Sequence, residues 1–168
     1  MKQLNKTIQF KTPAKINFYL NILGKRPDGM HNLYMDLIPV SLFDTISVIP
    51  NDKNQVGFNC SNLELNNQDN LILQAVQLLE KEANTRFSFD VNLEKKIPVG
   101  AGLGGGSGNA GGMLSVLNQV LDLGVNKKSL HRIAASIGAD VPFFLNPRPC
   151  LAQGFGDELT ELSDVPRI

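Results

Sequence analysis

One domain that mixes strands with helices is what this sequence predicts, and three observations carry the expectation. The 168 residues give enough chain to bury a real core and are most simply one domain. Apolar and polar residues alternate with period two at 15–23, 42–49 and 87–93, the pattern of half-buried strands. Around 71–83, 107–121 and 127–137 the apolar residues recur at helical spacing instead.

In chain order, Pro13 sets the start of the first strand, where a missing N–H is harmless. Ile16, Phe18, Leu20 and Ile22 are expected to line its apolar face, with Lys15, Asn17, Tyr19 and Asn21 on the other. Lys15 and Asn17 therefore project from one side. Residues 24–29, centred on Pro27-Asp28-Gly29, read as a turn, and Met30 and His31 follow it. The apolar stretch 33–40 is ambiguous in period, whereas 42–49 is a clear strand ended by Pro50. An asparagine-rich stretch runs to Gln68 with one short strand candidate at 56–60 and no recognisable chemistry.

Asp69-Asn70 is a plausible N-cap pair for the first helix, which carries Leu71, Ala75, Leu78 and Leu79. The strand at 87–93 leads into a glycine-rich loop. The helix after it buries Met113, Leu114, Leu117, Val120 and Leu121, and Gly108, Gly111 and Gly112 sit in its first turns. Each of these glycines costs about 1 kcal/mol relative to alanine, so close approach of a ligand or another backbone is expected there. A third helix, capped near Asn126, carries Leu130, Ile133, Ala134 and Ile137, and Gly138 and Pro142 stop it. Asp140 lies just beyond, at a helix's negative end and beside apolar residues, where an unpaired carboxylate is disfavoured. One further strand is expected after Cys150, then a turn at 154–157.

Sixteen basic and sixteen acidic residues cancel, so neither nucleic acid nor a membrane surface is indicated as a partner. Cys60 and Cys150 stand in no metal-ligand spacing and read as two free thiols. Neither a signal peptide nor a membrane-spanning run is evident, and the cytoplasm is the expected compartment.

The loop itself is the strongest signal. Eight glycines fall within the thirteen positions 100–112. Amide N–H groups without neighbouring Cβ atoms, feeding a helix N-terminus, form a cradle for phosphate. A flexible linker is the bland alternative, but the flanks are tightly patterned. No lysine precedes Ser107, so the loop is not of the Walker type. The dinucleotide fingerprint matches only as a bare pattern, because a second helix and not a strand follows. By residue type alone, Lys15 is also readable as a solvated strand lysine, His31 as a surface residue and Asp140 as a turn aspartate.

Four segments settle the choice by resemblance. They are 13–17 (Pro-Ala-Lys-Ile-Asn), 24–31 (Gly-Lys-Arg-Pro-Asp-Gly-Met-His), 97–107 (Ile-Pro-Val-Gly-Ala-Gly-Leu-Gly-Gly-Gly-Ser) and 138–144 (Gly-Ala-Asp-Val-Pro-Phe-Phe). In this order they resemble the GHMP kinases, and within them the branch that phosphorylates 4-diphosphocytidyl-2-C-methyl-D-erythritol in non-mevalonate isoprenoid synthesis. The resemblance implies an α+β fold, a mainly antiparallel sheet with helices on one side, similar to the second domain of ribosomal protein S5. It implies that residues 1–168 form the N-terminal ATP-binding domain.

It further implies that Pro98, Val99, Gly100, Ala101, Gly102, Leu103, Gly104, Gly105, Gly106, Ser107 and Gly108 wrap the phosphates of ATP, with Mg²⁺ bridging them. Ser107 would donate to a phosphate or touch the metal. Asp140 would be the general base toward the substrate's 2-hydroxyl, with Lys15 beside it orienting the carboxylate and stabilising the transferring group. Asn17, Met30 and His31 would contact the cytidine diphosphate or erythritol part of this small-molecule substrate.

Three departures accompany the match. Met30 stands where the family usually has a tyrosine or phenylalanine that stacks on cytosine, and Gly108 where a second serine is common. The resemblance also implies a C-terminal domain, with a further glycine motif and part of the substrate pocket, and this domain is expected to be absent from residues 1–168. Two readings follow: half of a kinase whose activity needs that domain, or a nucleotide-binding module without turnover. A kinase for another small alcohol is a third.

Overall fold

The computed structural model describes residues 2, 4–25, 31–67, 69–154 and 158–162. Its frame is a long hairpin of β1 (Ile8–Lys25) and β2 (His31–Pro50), antiparallel from Ile8 opposite Val48 to Lys25 opposite His31. The ambiguous stretch 33–40 is thus part of β2. On its other edge β2 pairs twice: residues 45–50 with β4 (Phe89–Glu94), and residues 33–37 with β5 (Cys150–Gly154). β3 (Val56–Cys60) lies beyond β4, and β6 (Glu158–Glu161), a strand not foreseen in the sequence, beyond β5. All pairings are antiparallel except β3 with β4, which run parallel and are joined through α1 (Leu71–Glu82).

The side chains of β2 and β4 alternate as the period predicts. Ile46 and Val48, with Phe89, Val91 and Leu93, pack under the helices, while Asn92 and Glu94 face away. The helices α1, α2 (Gly105–Val120) and α3 (Lys127–Ile137) close this core with Ile72, Ala75, Val76, Leu79, Met113, Leu114, Leu117, Ile133 and Ala134. Val120, expected in that stripe, is exposed at the end of α2. Asparagines cap two helices: the Asn70 Oδ1 accepts from Ile72 N, and the Asn126 Oδ1 from Ser129 N. Both cysteines are buried and free.

The expectation for the first strand also fails. Ile16, Phe18 and Leu20 do not form a shared buried face: Phe18 is 69% exposed and Leu20 50%, whereas Lys15 is only 4% exposed; the side chain of Ile22 lies outside the described residues. Register shifts between Pro13 and Ala14, and between Asn17 and Tyr19, break the alternation. The α2 helix also lies along only the first part of β1, its glycines meeting Thr12, Pro13 and Lys15.

Those glycines answer the question raised by their cost in a helix. A Cβ at Gly108 would lie 3.1 Å from the carbonyl oxygen of Pro13 and 3.3 Å from the Phe144 ring. At Gly111 it would lie 2.7 Å from the Phe144 Cβ, and at Gly112 2.5 Å from the Thr12 Cγ2. The close approach is by neighbouring chain. Phe144, in a 3-10 turn at Pro142–Leu145, packs into the space that Gly108 and Gly111 leave, and Thr12 into that of Gly112.

Candidate active site

The site starts where β4 ends. Asp44, fully buried on β2, accepts from the backbone N–H groups of Lys96 (2.7 Å) and Ile97 (2.8 Å). The same carboxylate takes the Lys95 ammonium at 2.7 Å, which also donates to the carbonyl of Ile97. A buried charge needs this degree of pairing. The cluster pins the chain just before the glycine loop.

The loop then runs through Gly100, Gly102 and Gly104, with φ of 73°, 73° and 68°, values that favour glycine. Gly104 is doubly constrained, because a Cβ there would lie 2.9 Å from the Phe144 ring and 3.0 Å from the Lys15 Cγ. It starts α2, so the amides of the helix's first turn open on a cavity of about 410 Å³. Residues 98–107 and Asn109 line one side of it, and Leu65, Asn67, Asp69, Asn70, Leu71, Leu93 and Lys95 the rest. Unpaired amides at a helix N-terminus favour an anion. The remaining wall mixes three leucines, Leu65, Leu71 and Leu93, with polar and charged side chains. The asparagine-rich stretch, which looked chemically silent, therefore supplies part of the cavity.

Lys15 joins this loop to the acidic residue of the third segment. Its backbone N–H donates to the carbonyl of Leu103 at 2.9 Å. Its ammonium donates to the Asn17 Oδ1 at 2.8 Å and lies 3.3 Å from the Asp140 Oδ2. Lys15 is buried, and the side chain of Asp140 is 31% exposed. Asp140 stands in the turn between α3 and the Pro142–Leu145 segment, and the seating of Phe144 on the α2 glycines brings that turn to the loop. A carboxylate open to solvent, an ammonium and a run of amides thus stand together. Such a set can take a proton from a hydroxyl while holding negative charge beside it.

Of the residues singled out in the sequence, Lys15, Asn17, Asp140 and 98–107 are brought together. Gly108 is set apart from the cradle: its missing side chain would point to Pro13 and Phe144. Met30 lies outside the described residues, as does the side chain of His31, whose backbone starts β2 opposite Lys25. Among the described residues, no three His, Cys, Asp or Glu side chains are grouped to hold a metal ion. No helix among them is long and apolar enough to cross a membrane. Sequence reasoning missed Asp44, Lys95 and Phe144. An aspartate inside an apolar strand and a lysine just before the loop were the available signals for the first two.

Comparison with known proteins bears on the fold and the family. The family model for the GHMP kinases N terminal domain matches residues 70–147. The 4-diphosphocytidyl-2-C-methyl-D-erythritol kinase of Citrifermentans bemidjiense is 40% identical over 164 residues, covering 97% of this chain and 59% of that protein. A crystal structure of 4-(cytidine 5'-diphospho)-2C-methyl-D-erythritol kinase superposes with a TM-score of 0.80 at 35% identity, over 92% of this chain and 55% of that one. The mevalonate kinase of Methanococcus jannaschii shares the fold at 12% identity, with a TM-score of 0.70 over 95% of this chain and 57% of its own. The chain spans a little over half the length of these relatives.

Proposed function

Because this chain belongs to the GHMP kinase family, we propose that it forms the nucleotide-binding part of an ATP-dependent small-alcohol kinase. Its substrate on this reading is 4-diphosphocytidyl-2-C-methyl-D-erythritol, as in the names of its relatives, and the phosphoryl group goes to the 2-hydroxyl. The observation that carries the reading is the 3.3 Å Lys15–Asp140 pair beside a glycine loop bonded to the Lys15 backbone.

Asp140 accepts the proton of the attacking hydroxyl, and its partial exposure leaves it open to a substrate. Lys15 donates one N–H to Asn17 and stands as an ion pair with Asp140, which holds the carboxylate in place, and its ammonium also stabilises an oxygen of the transferring group. Catalysis of this type is mostly positioning and charge stabilisation, and both are built into the pair. The amides of 98–107 and of the first turn of α2 hold the nucleotide's phosphates. Mg²⁺ bound with ATP neutralises those phosphates, and Ser107, on the cavity wall, is the residue that would touch it. Asn17, Met30 and His31 contact the substrate's cytidine diphosphate or erythritol part. The reaction takes place in the cytoplasm.

The test is steady-state ADP release by the complete protein with Mg-ATP and this alcohol. Asp140→Asn is expected to lower kcat by about 10²–10⁴-fold with little change in nucleotide affinity. Undiminished turnover in that variant, or ADP release that ignores the alcohol, would overturn the reading.

A further inference from the structure

We propose that Asn109 is a further phosphate-contacting residue of this site and that Thr12 holds it in position; the inference rests on the nucleotide-binding reading above. Asn109 lies in the second turn of α2, is 2% exposed, and lines the cavity next to Ser107 and Gly106. Its Oδ1 accepts from the Thr12 hydroxyl at 2.6 Å, a bond that crosses from α2 to β1 inside the protein. Gly112 makes the bond possible, since a Cβ there would meet the Thr12 Cγ2 at 2.5 Å and push the strand away.

The other end of the amide is the informative one. Among the described residues, no side-chain nitrogen or oxygen sealed from solvent lacks a hydrogen-bond partner. The Asn109 Nδ2 has no protein partner there, so this nitrogen is not sealed, and the cavity is the space onto which the residue opens. With the carbonyl end occupied by Thr12, the face presented to the cavity is an NH₂ donor. An asparagine in a helix interior is disfavoured relative to alanine, and a buried side-chain pair returns little net stability over apolar packing. Packing alone gives no reason for it. A donor aimed into a cradle of backbone amides is suited to an anionic oxygen of a polyphosphate, and it adds a side-chain contact beyond residue 108.

Calorimetric titration of the complete protein with Mg-ATP, ADP and adenosine tests this. Asn109→Asp has the same shape and keeps an acceptor for Thr12 but replaces the donor with negative charge. It is expected to weaken ATP at least tenfold, with about the loss of one charge-assisted bond as the floor, while adenosine is unchanged. Thr12→Val should weaken ATP by a smaller factor and Thr12→Ser should restore it, which a purely structural role of the methyl would not do. A loss shared by ADP assigns the contact to the inner phosphates, and one confined to ATP assigns it to the outer one; either supports the proposal. Unchanged ATP affinity in Asn109→Asp, or equal losses for ATP and adenosine, overturns it while leaving the nucleotide reading intact. Failure of the unsubstituted protein to prefer ATP over adenosine overturns both.

Discussion

Two substitutions of the same kind in the same helix should have opposite effects. At Gly111, an alanine gains about 1 kcal/mol in helix propensity. Its Cβ, however, would lie 2.7 Å from the Phe144 Cβ, and 2.9 Å from both the Phe144 carbonyl carbon and the Val141 carbonyl oxygen. Two of these three atoms are backbone and cannot swing aside. Overpacking of this kind costs about 1–3 kcal/mol, and three contacts under 3.0 Å place it in the upper part of that range, so the net expectation is a loss of about 1–2 kcal/mol. At Gly106 the nearest atom to a new Cβ is the Leu71 Cδ1 at 3.5 Å, an ordinary contact. Alanine there should stabilise by up to about 1 kcal/mol. Urea unfolding of the two variants beside the parent protein reads both signs. The Gly111 variant should also lose turnover more than nucleotide affinity, because the displaced segment carries Asp140. Parent-like stability in Gly111→Ala, or shifts of the same sign in both variants, would refute the role given to the α2 glycines.

Two other perturbations follow from buried groups. Asp44→Ala leaves the Lys95 ammonium and two backbone N–H groups without their acceptor, and a loss of about 3–5 kcal/mol in urea unfolding is expected. Adding Lys95→Met should recover part of it, and a loss under about 1 kcal/mol in the single variant would contradict the clamp. Burial first, then the charges of Asp36 and Glu161, push the Cys150 thiol up to about 11 from an ordinary 9.0. Its folded-state value is raised, so its contribution to stability is fully present below pH 9 and is lost as pH rises through about 11. Stability should fall over that window less steeply in Cys150→Ala, and equal slopes would count against this assignment.

The sequence made the elements legible wherever the pattern was local. Caps at Asn70 and Asn126, the alternation of 87–93 and the stripe from Met113 to Leu117 depend on neighbours a few residues away. All match the structure. The pairing of Lys15 with Asn17 followed from period two alone and survives because no register shift falls between them. What failed was decided by tertiary contacts. The apolar face of 16–20 needed a cover that the described residues do not provide, and two irregular registers rotated it. The function of the α2 glycines was hidden because Phe144 and Thr12, which fill their space, are more than thirty residues away in sequence. Asp140 and the loop were each readable as motifs, yet only the folded chain brings the carboxylate to within 3.3 Å of the Lys15 ammonium.

Phosphorus NMR of the complete protein supplied with Mg-ATP and 4-diphosphocytidyl-2-C-methyl-D-erythritol tests the central claim most directly. The account predicts a new phosphomonoester signal coupled to the 2-position of the alcohol, growing as ADP appears. In Asp140→Asn that signal should be absent or slower by orders of magnitude, although ATP still binds. A phosphomonoester formed equally well by Asp140→Asn would contradict the assignment of phosphoryl transfer to the Lys15–Asp140 pair at the glycine loop.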